Sequence, residues 1–200
     1  LGMAMKSRFV ALTALGLAAT SVASCGYNTI PTQEEAAKAS WAEVQTQYQR
    51  RADLVPNLVA TVQGAAKQEK EVLTAVVEAR ASATQPKFDG STITDPAKFA
   101  EFQAAQDKLS GALGRLMLIQ ENYPQLKSME GFIALQGQLE GTENRIAIAR
   151  RDYNASVQTF NTTLRTFPSV IWAKTAFGDT KPMQLFQATA GAEKPPEVKF

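Results

Sequence analysis

The sequence predicts an all-α fold: an elongated antiparallel bundle of three long amphipathic helices, the first divided near Pro56, so that the packing resembles a four-helix bundle. Three observations lead there. Apolar residues recur at intervals of three, four and seven over most of the chain, which is the period of a helix face and not of a strand. Turn-forming residues are gathered into a few short stretches rather than spread between short strands. Glycine is sparse, at 12 of 200 residues, while the helix-favouring alanine, glutamine and leucine are plentiful.

Taken in order, residues 1–24 read as an export signal. Lys6 and Arg8 form a basic start, Phe9 to about Ala19 an apolar run, and small residues precede Cys25. Phe9–Ala23 supplies 15 residues interrupted by Thr13, Thr20 and Ser21. That is short of the roughly 18 apolar residues read as a spanning helix. Val22-Ala23-Ser24-Cys25 resembles a bacterial lipobox, in which the thiol is acylated and cleavage leaves Cys25 as the new N-terminus. The alternative is an ordinary small-residue cleavage site beside an accidental cysteine. Cys25 is the single cysteine of the chain, which favours lipidation, palmitate included, as its purpose. Residues 25–35 are then expected to be a lipidated tether. Gly26 in place of an aspartate leaves no inner-membrane retention signal, so the expected location is the cell envelope, on the outer membrane facing the periplasm in a Gram-negative host.

The bundle is expected over residues 36–168. Trp41, Val44, Tyr48, Val55, Leu58, Val62 and Val72 to Val76 trace the first helical face, with Pro56 expected to kink or break it. ATQPKFDGSTITDP at 83–96 marks a loop, and Thr94 or Asp95 ahead of Pro96 is a strong helix start. Phe102, Leu109, Leu116 and Tyr123 repeat every seven residues, with Ala105, Ala112 and Ile119 beside the first three. The clearest pattern runs from about Ser128 to Thr166: Phe132, Leu139, Ile146, Tyr153, Phe160 and Phe167, all seven apart. Beside it lies a smaller-residue seam of Leu135, Thr142, Ala149, Ser156 and Thr163, as antiparallel helices need to interdigitate. Such a helix would be about 60 Å long. Residues 169–200 lack a clean period, and Trp172, Phe177, Leu185 and Phe186 are expected to cap the bundle ahead of a terminal tail.

Charge and composition exclude several functions. Two of the 21 cationic side chains, Lys6 and Arg8, fall in residues 1–24, which hold no acid, so the remainder balances the 19 acidic ones. A balanced chain has no field with which to neutralise phosphates, so nucleic acid is not an expected partner. With no histidine and one cysteine, the usual zinc ligand sets, Cys–His and Ser–His–Asp catalysis, and an intrachain disulfide are all excluded. No cofactor or metal is expected.

Several segments together resemble the LemA family: CGYNTI at 25–30, WAEVQTQYQRRADLVPNLVATVQGAAKQEKEVLTAVVEARA at 41–81, LSGALGRL at 109–116, YPQLKS at 123–128, LQGQLEGTENRIAIARRDYN at 135–154 and FPS at 167–169. The resemblance implies a membrane-tethered helical bundle and implies no reaction. Many members look tethered by an uncleaved N-terminal membrane helix; here a lipobox stands in its place, so family topology does not carry over.

The polar candidates are Arg50, Arg51, Asp53 and Asn57 in QRRADLVPN, and Glu140, Glu143, Asn144 and Arg150 in the later helix, with Arg151, Asn154 and Asn161 beside them. Carboxylates and arginines at such spacing could form an acid–base pair or an anion site. No glycine-rich phosphate loop accompanies them, and the expected role is a polar network that fixes helix register. Asn154 and Asn161 also begin N-glycosylation patterns, which carry no weight in mid-helix behind a bacterial export signal. The expected function is a non-enzymatic envelope lipoprotein attached through lipid on Cys25 that binds or organises another protein, with self-association compatible with the heptads. The rival is an envelope enzyme using Glu140, Glu143 and Arg150.

Overall fold

The computed structural model describes residues 26–85 and 88–187. The export signal, the lipobox with Cys25 and the last thirteen residues lie outside the described residues. Six α-helices order the rest: α1 Thr29–Ala65, α2 Lys70–Ala83, α3 Pro96–Leu118, α4 Pro124–Lys127, α5 Glu130–Thr163 and α6 Ser169–Thr175. Short 3-10 turns at Gly90–Thr94 and Ile119–Glu121 complete the path. No strand occurs among the described residues.

Helix α1 starts earlier than the expected end of the tether at residue 35. Pro31 falls in its first turn, where the missing N–H would have had no partner. The Thr32 hydroxyl donates to the Asn28 carbonyl at 2.8 Å. Ile30 is already fully buried, so the segment read as a tether is part of the bundle. Helix α1 also runs unbroken through Pro56, contrary to the expected division there. The proline leaves the carbonyl four residues back, Ala52 O, without its helical donor. Arg80 of α2 supplies one instead, its Nε donating to Ala52 O at 2.8 Å. The division falls about ten residues later, where Ala66 leaves the helix and the chain turns into α2.

The start of α3 is as the sequence predicts. Asp95 accepts from the N–H groups of Ala97 (2.9 Å) and Lys98 (3.2 Å), with Pro96 at the first position. Along α1 from Trp41 to Arg51, the neighbours on α3 advance from Phe99 and Phe102 to Gln106, while those on α5 recede from Tyr153 to Glu143. Helices α1 and α3 therefore run parallel, α5 antiparallel to both, and α2 folds back along α1 as the fourth member.

The long-period seam of α5 packs inward as expected for Phe132, Leu139, Ile146, Tyr153 and Phe160. Phe167 does not: α5 ends at Thr163, and this ring is 73% exposed. Helix α2 has 14 residues and so covers about 21 Å, less than half of α1. Around Val55, Leu58, Val62, Leu109, Leu116 and Leu139 it completes a four-helix core. Beyond its end that side is closed by Phe88 and Ile93 and by a non-helical strap, residues 181–187, whose Met183 and Phe186 are buried among Trp41, Phe99 and Tyr153. The expected cap is thus partly an inserted segment: Phe186 is core and Leu185 faces solvent.

Candidate functional site

The polar centre of the molecule is Arg51, which is 1% exposed. A buried guanidinium stays charged and must find acceptors for its hydrogens. Its Nη1 donates to Glu143 Oε1 on α5 at 3.0 Å and to the Ser110 hydroxyl on α3. Its Nη2 donates to Gln106 O at 3.0 Å and Gln106 Oε1 at 2.7 Å. The Gln106 amide then donates to Ala83 O at 3.0 Å, a carbonyl at the end of α2 that has no partner within its own helix. Arg51 and Gln106 therefore tie all four bundle helices together. Its guanidinium carbon lies 5.0 Å from the centre of the Tyr48 ring. Arg51 Nε is buried and meets no acceptor among the described residues.

Of the sequence candidates, only Arg51 and Glu143 meet directly. Arg50, Asp53, Asn57, Glu140 and Asn144 are exposed. Asp53 accepts from the Gln49 amide at 2.7 Å, and Glu140 from the Gln136 amide at 3.3 Å. Arg150 lies farther along α5, over the Phe186 ring at 4.5 Å, with Nη2 donating to Gln187 O at 3.3 Å. Glu140, Glu143 and Arg150 therefore form no common centre. The Arg51–Glu143 pair is lopsided, because the glutamate side chain is 40% exposed and partly screened by solvent. A groove of about 380 Å³ runs beside it, lined by Ser110, Leu113, Met117, Leu139, Glu140 and Glu143. A second α1–α5 tie joins the Arg145 Nε to Gln47 Oε1 at 3.2 Å.

The arrangement that sequence reasoning missed is an asparagine ladder. The Asn161 side chain donates to Met183 O at 2.8 Å and accepts from Met183 N at 2.9 Å. Asn154 does the same with Phe186, at 3.0 and 2.9 Å. The match is metric. Seven helical residues rise about 10.5 Å, a distance that the three steps from Met183 to Phe186 cover only when nearly extended. The Tyr153 hydroxyl adds a bond to Gln184 O at 2.9 Å, and Ile93 O accepts from Gln184 N at 2.7 Å. Burial pushes the Tyr153 phenol above the usual tyrosine range, so it stays a donor well past neutrality. The available signal was the seven-residue spacing of Asn154 and Asn161 on the stripe of Arg150.

Among the described residues no His, Cys, Asp and Glu cluster could hold a metal, and no helix is long and apolar enough to cross a membrane. The chain is similar to two proteins named magnetosome protein MamQ from Paramagnetospirillum magneticum, each 29% identical over 76% of this chain. It is also similar to magnetosome protein MamQ of Magnetospirillum gryphiswaldense, 27% identical over 71%. It spans about 60% of the length of these relatives. The model of the LemA family matches residues 40–200, which takes in α3, α5, the Arg51 junction and the strap, and the chain belongs to that family.

Proposed function

We propose that this chain is a non-enzymatic scaffold of the bacterial cell envelope. Lipid on Cys25 holds it to the membrane, at the outer membrane facing the periplasm in a Gram-negative host, and its bundle binds or organises a protein partner. The observation behind this reading is the Arg51 junction. The groups best suited to acid–base or anion chemistry are already committed, Arg51 to Glu143, Ser110 and Gln106, so their role is to fix helix register. Membership of the LemA family supports a helical, membrane-tethered protein and brings no reaction with it. Crosslinking in intact cells followed by mass spectrometry tests the reading. A reproducible protein partner, lost when Cys25→Ser displaces the chain from the membrane, is the expected result. A Cys25→Ser protein of mature size that still pellets with membranes after a high-salt wash would refute the anchor.

One observation favours the rival. The groove beside Glu140 and Glu143 is large enough for a small molecule, and the exposed side of Glu143 faces it. An envelope enzyme would turn over a substrate there with Glu140 and Glu143, and without Arg150, which lies over Phe186 and away from the groove. Turnover by the purified protein that disappears in Glu143→Gln while the fold is kept would decide for the enzyme.

A further inference from the structure

The described chain begins at a packed end of the bundle. A Cβ placed on Gly26 would lie 3.2 Å from the Ser169 hydroxyl and 3.4 Å from the Pro168 ring, so the backbone here rests directly on the start of α6. Tyr27 stacks edge-on against Trp172, ring centres 5.5 Å apart, and tilts over Phe177 at 5.1 Å. Gly26, the residue next in sequence to the one read as the anchor, is thus packed on the bundle.

The same end exposes apolar surface. Phe167 is 73% exposed, Ile171 51% and Tyr27 45%. Arg165 and Lys174 are exposed beside them. Single apolar residues scattered on a surface need no explanation, but these three adjoin one contact: Phe167 precedes Pro168 and Ile171 precedes Trp172, on which Gly26 and Tyr27 rest. Aromatic and aliphatic side chains flanked by cations are the composition of surfaces that settle into the headgroup layer of a bilayer.

We propose that Tyr27, Phe167 and Ile171, with Arg165 and Lys174, form a lipid-docking surface, on which the bundle stands end-on upon the membrane that holds residue 25. The inference rests on the reading that the N-terminal segment holds this protein at a membrane. It adds that the fold itself touches lipid. Helix α1 would then carry the turn region at residues 119–129 about 55 Å from the surface.

The chain contains two tryptophans, Trp41 and Trp172, so each can serve as the sole reporter in turn. The test uses the protein with the N-terminus that cells give it, in vesicles of phosphatidylcholine and phosphatidylglycerol at three to one. Part of the phosphatidylcholine carries brominated acyl chains. In Trp41→Phe, brominated lipid should roughly halve Trp172 emission. Adding Phe167→Ser and Ile171→Ser should restore most of that emission while the protein still floats with the vesicles. Trp172→Phe, which leaves only the core residue Trp41, should be unaffected; comparable quenching of Trp41 would overturn the end-on arrangement. Flotation with no quenching of Trp172 would overturn the docking surface and leave the anchor standing. Absence of flotation, with no acyl mass on Cys25, would overturn both.

Discussion

The two halves of the bundle solve the same packing problem with different materials. Around α2 the core is aliphatic, built from Val55, Leu58, Val76, Leu109 and Leu116, and every wall is a helix. Beyond the end of α2, among the described residues, lies every buried aromatic side chain except Phe132, and one wall is the strap. Helix against helix needs only apolar surface, because each helix satisfies its own backbone. A strap brings unpaired N–H and C=O groups into the interior and must be given partners. Asn154, Asn161, Tyr153 and Ile93 provide them. Large rings fill the irregular space that a strap leaves where a helix would interdigitate, and Trp41 meets Phe102, Tyr153 and Phe186 at ring separations of 5.0, 5.5 and 6.2 Å. Arg51 and Gln106 stand where the two halves join.

The comparison can be broken by emptying each core in turn. Phe160 in the strap half and Phe132 in the helical half are both fully buried. Truncation of either to alanine should cost about 3–5 kcal/mol. Because the Arg51 junction spans all four helices, both variants should melt in one transition, read by circular dichroism and by tryptophan fluorescence together. Two separated transitions would mean that the halves are independent units.

A sharper test removes only the ladder. Asn154→Ala with Asn161→Ala takes four hydrogen bonds from the strap and leaves the cores filled. Each exchanged pair should cost about 1–3 kcal/mol, since the backbone groups of Met183 and Phe186 would be left without partners. Hydrogen exchange at 181–187 should accelerate sharply while α2 keeps its protection. Equal acceleration in α2 would show that the strap holds the whole bundle and not its own half.

How far the sequence could be read follows the same division. Helical walls announce themselves by period, so five of the six residues in the α5 seam and the face from Trp41 to Val62 were legible. The strap has no period: Met183 and Phe186 are buried through backbone pairing, which leaves no pattern in their own segment. Its trace lay on α5, in two asparagines at two-turn spacing that carried no visible reason. Glu143 and Arg51 were legible as members of a polar network that fixes helix register, but Gln106 was hidden because the assumed seven-residue stripe on α3 skipped it. The buried face runs Phe99, Phe102, Gln106, Leu109, Leu113, Leu116. Pro56 misled because the compensating donor, Arg80, comes from another helix.

That compensation makes a thermodynamic cycle. Arg80→Leu should leave Ala52 O without a donor and cost about 1–2 kcal/mol. Pro56→Ala restores a backbone N–H to the same carbonyl, so Arg80→Leu should cost markedly less in that background. Equal costs in both backgrounds would mean that the Arg80–Ala52 bond does not stand in for the helical one. This test belongs to the helical half, where a missing donor is replaced by one from a neighbouring helix.

The smallest effect expected lies in the strap half and depends on pH. Burial raises the Tyr153 phenol, and burial, opposed by Arg150 and Arg51, raises Tyr48. An unfolded tyrosine titrates near pH 10. Between that value and the higher folded one the unfolded chain releases protons that the folded chain keeps, so stability is full below about pH 10 and falls as pH rises beyond it. Ionised Tyr153 would also lose its bond to Gln184 O and face that carbonyl with a negative charge. The strap should therefore loosen first, seen as faster proteolysis between residues 176 and 187 above pH 10. Tyr153→Phe should cost about 1 kcal/mol at pH 7 through the unpaired carbonyl and flatten the alkaline loss. If the alkaline loss persists unchanged in Tyr153→Phe, the titrating group is not Tyr153, and Tyr48, beside Arg51, becomes the residue to change next.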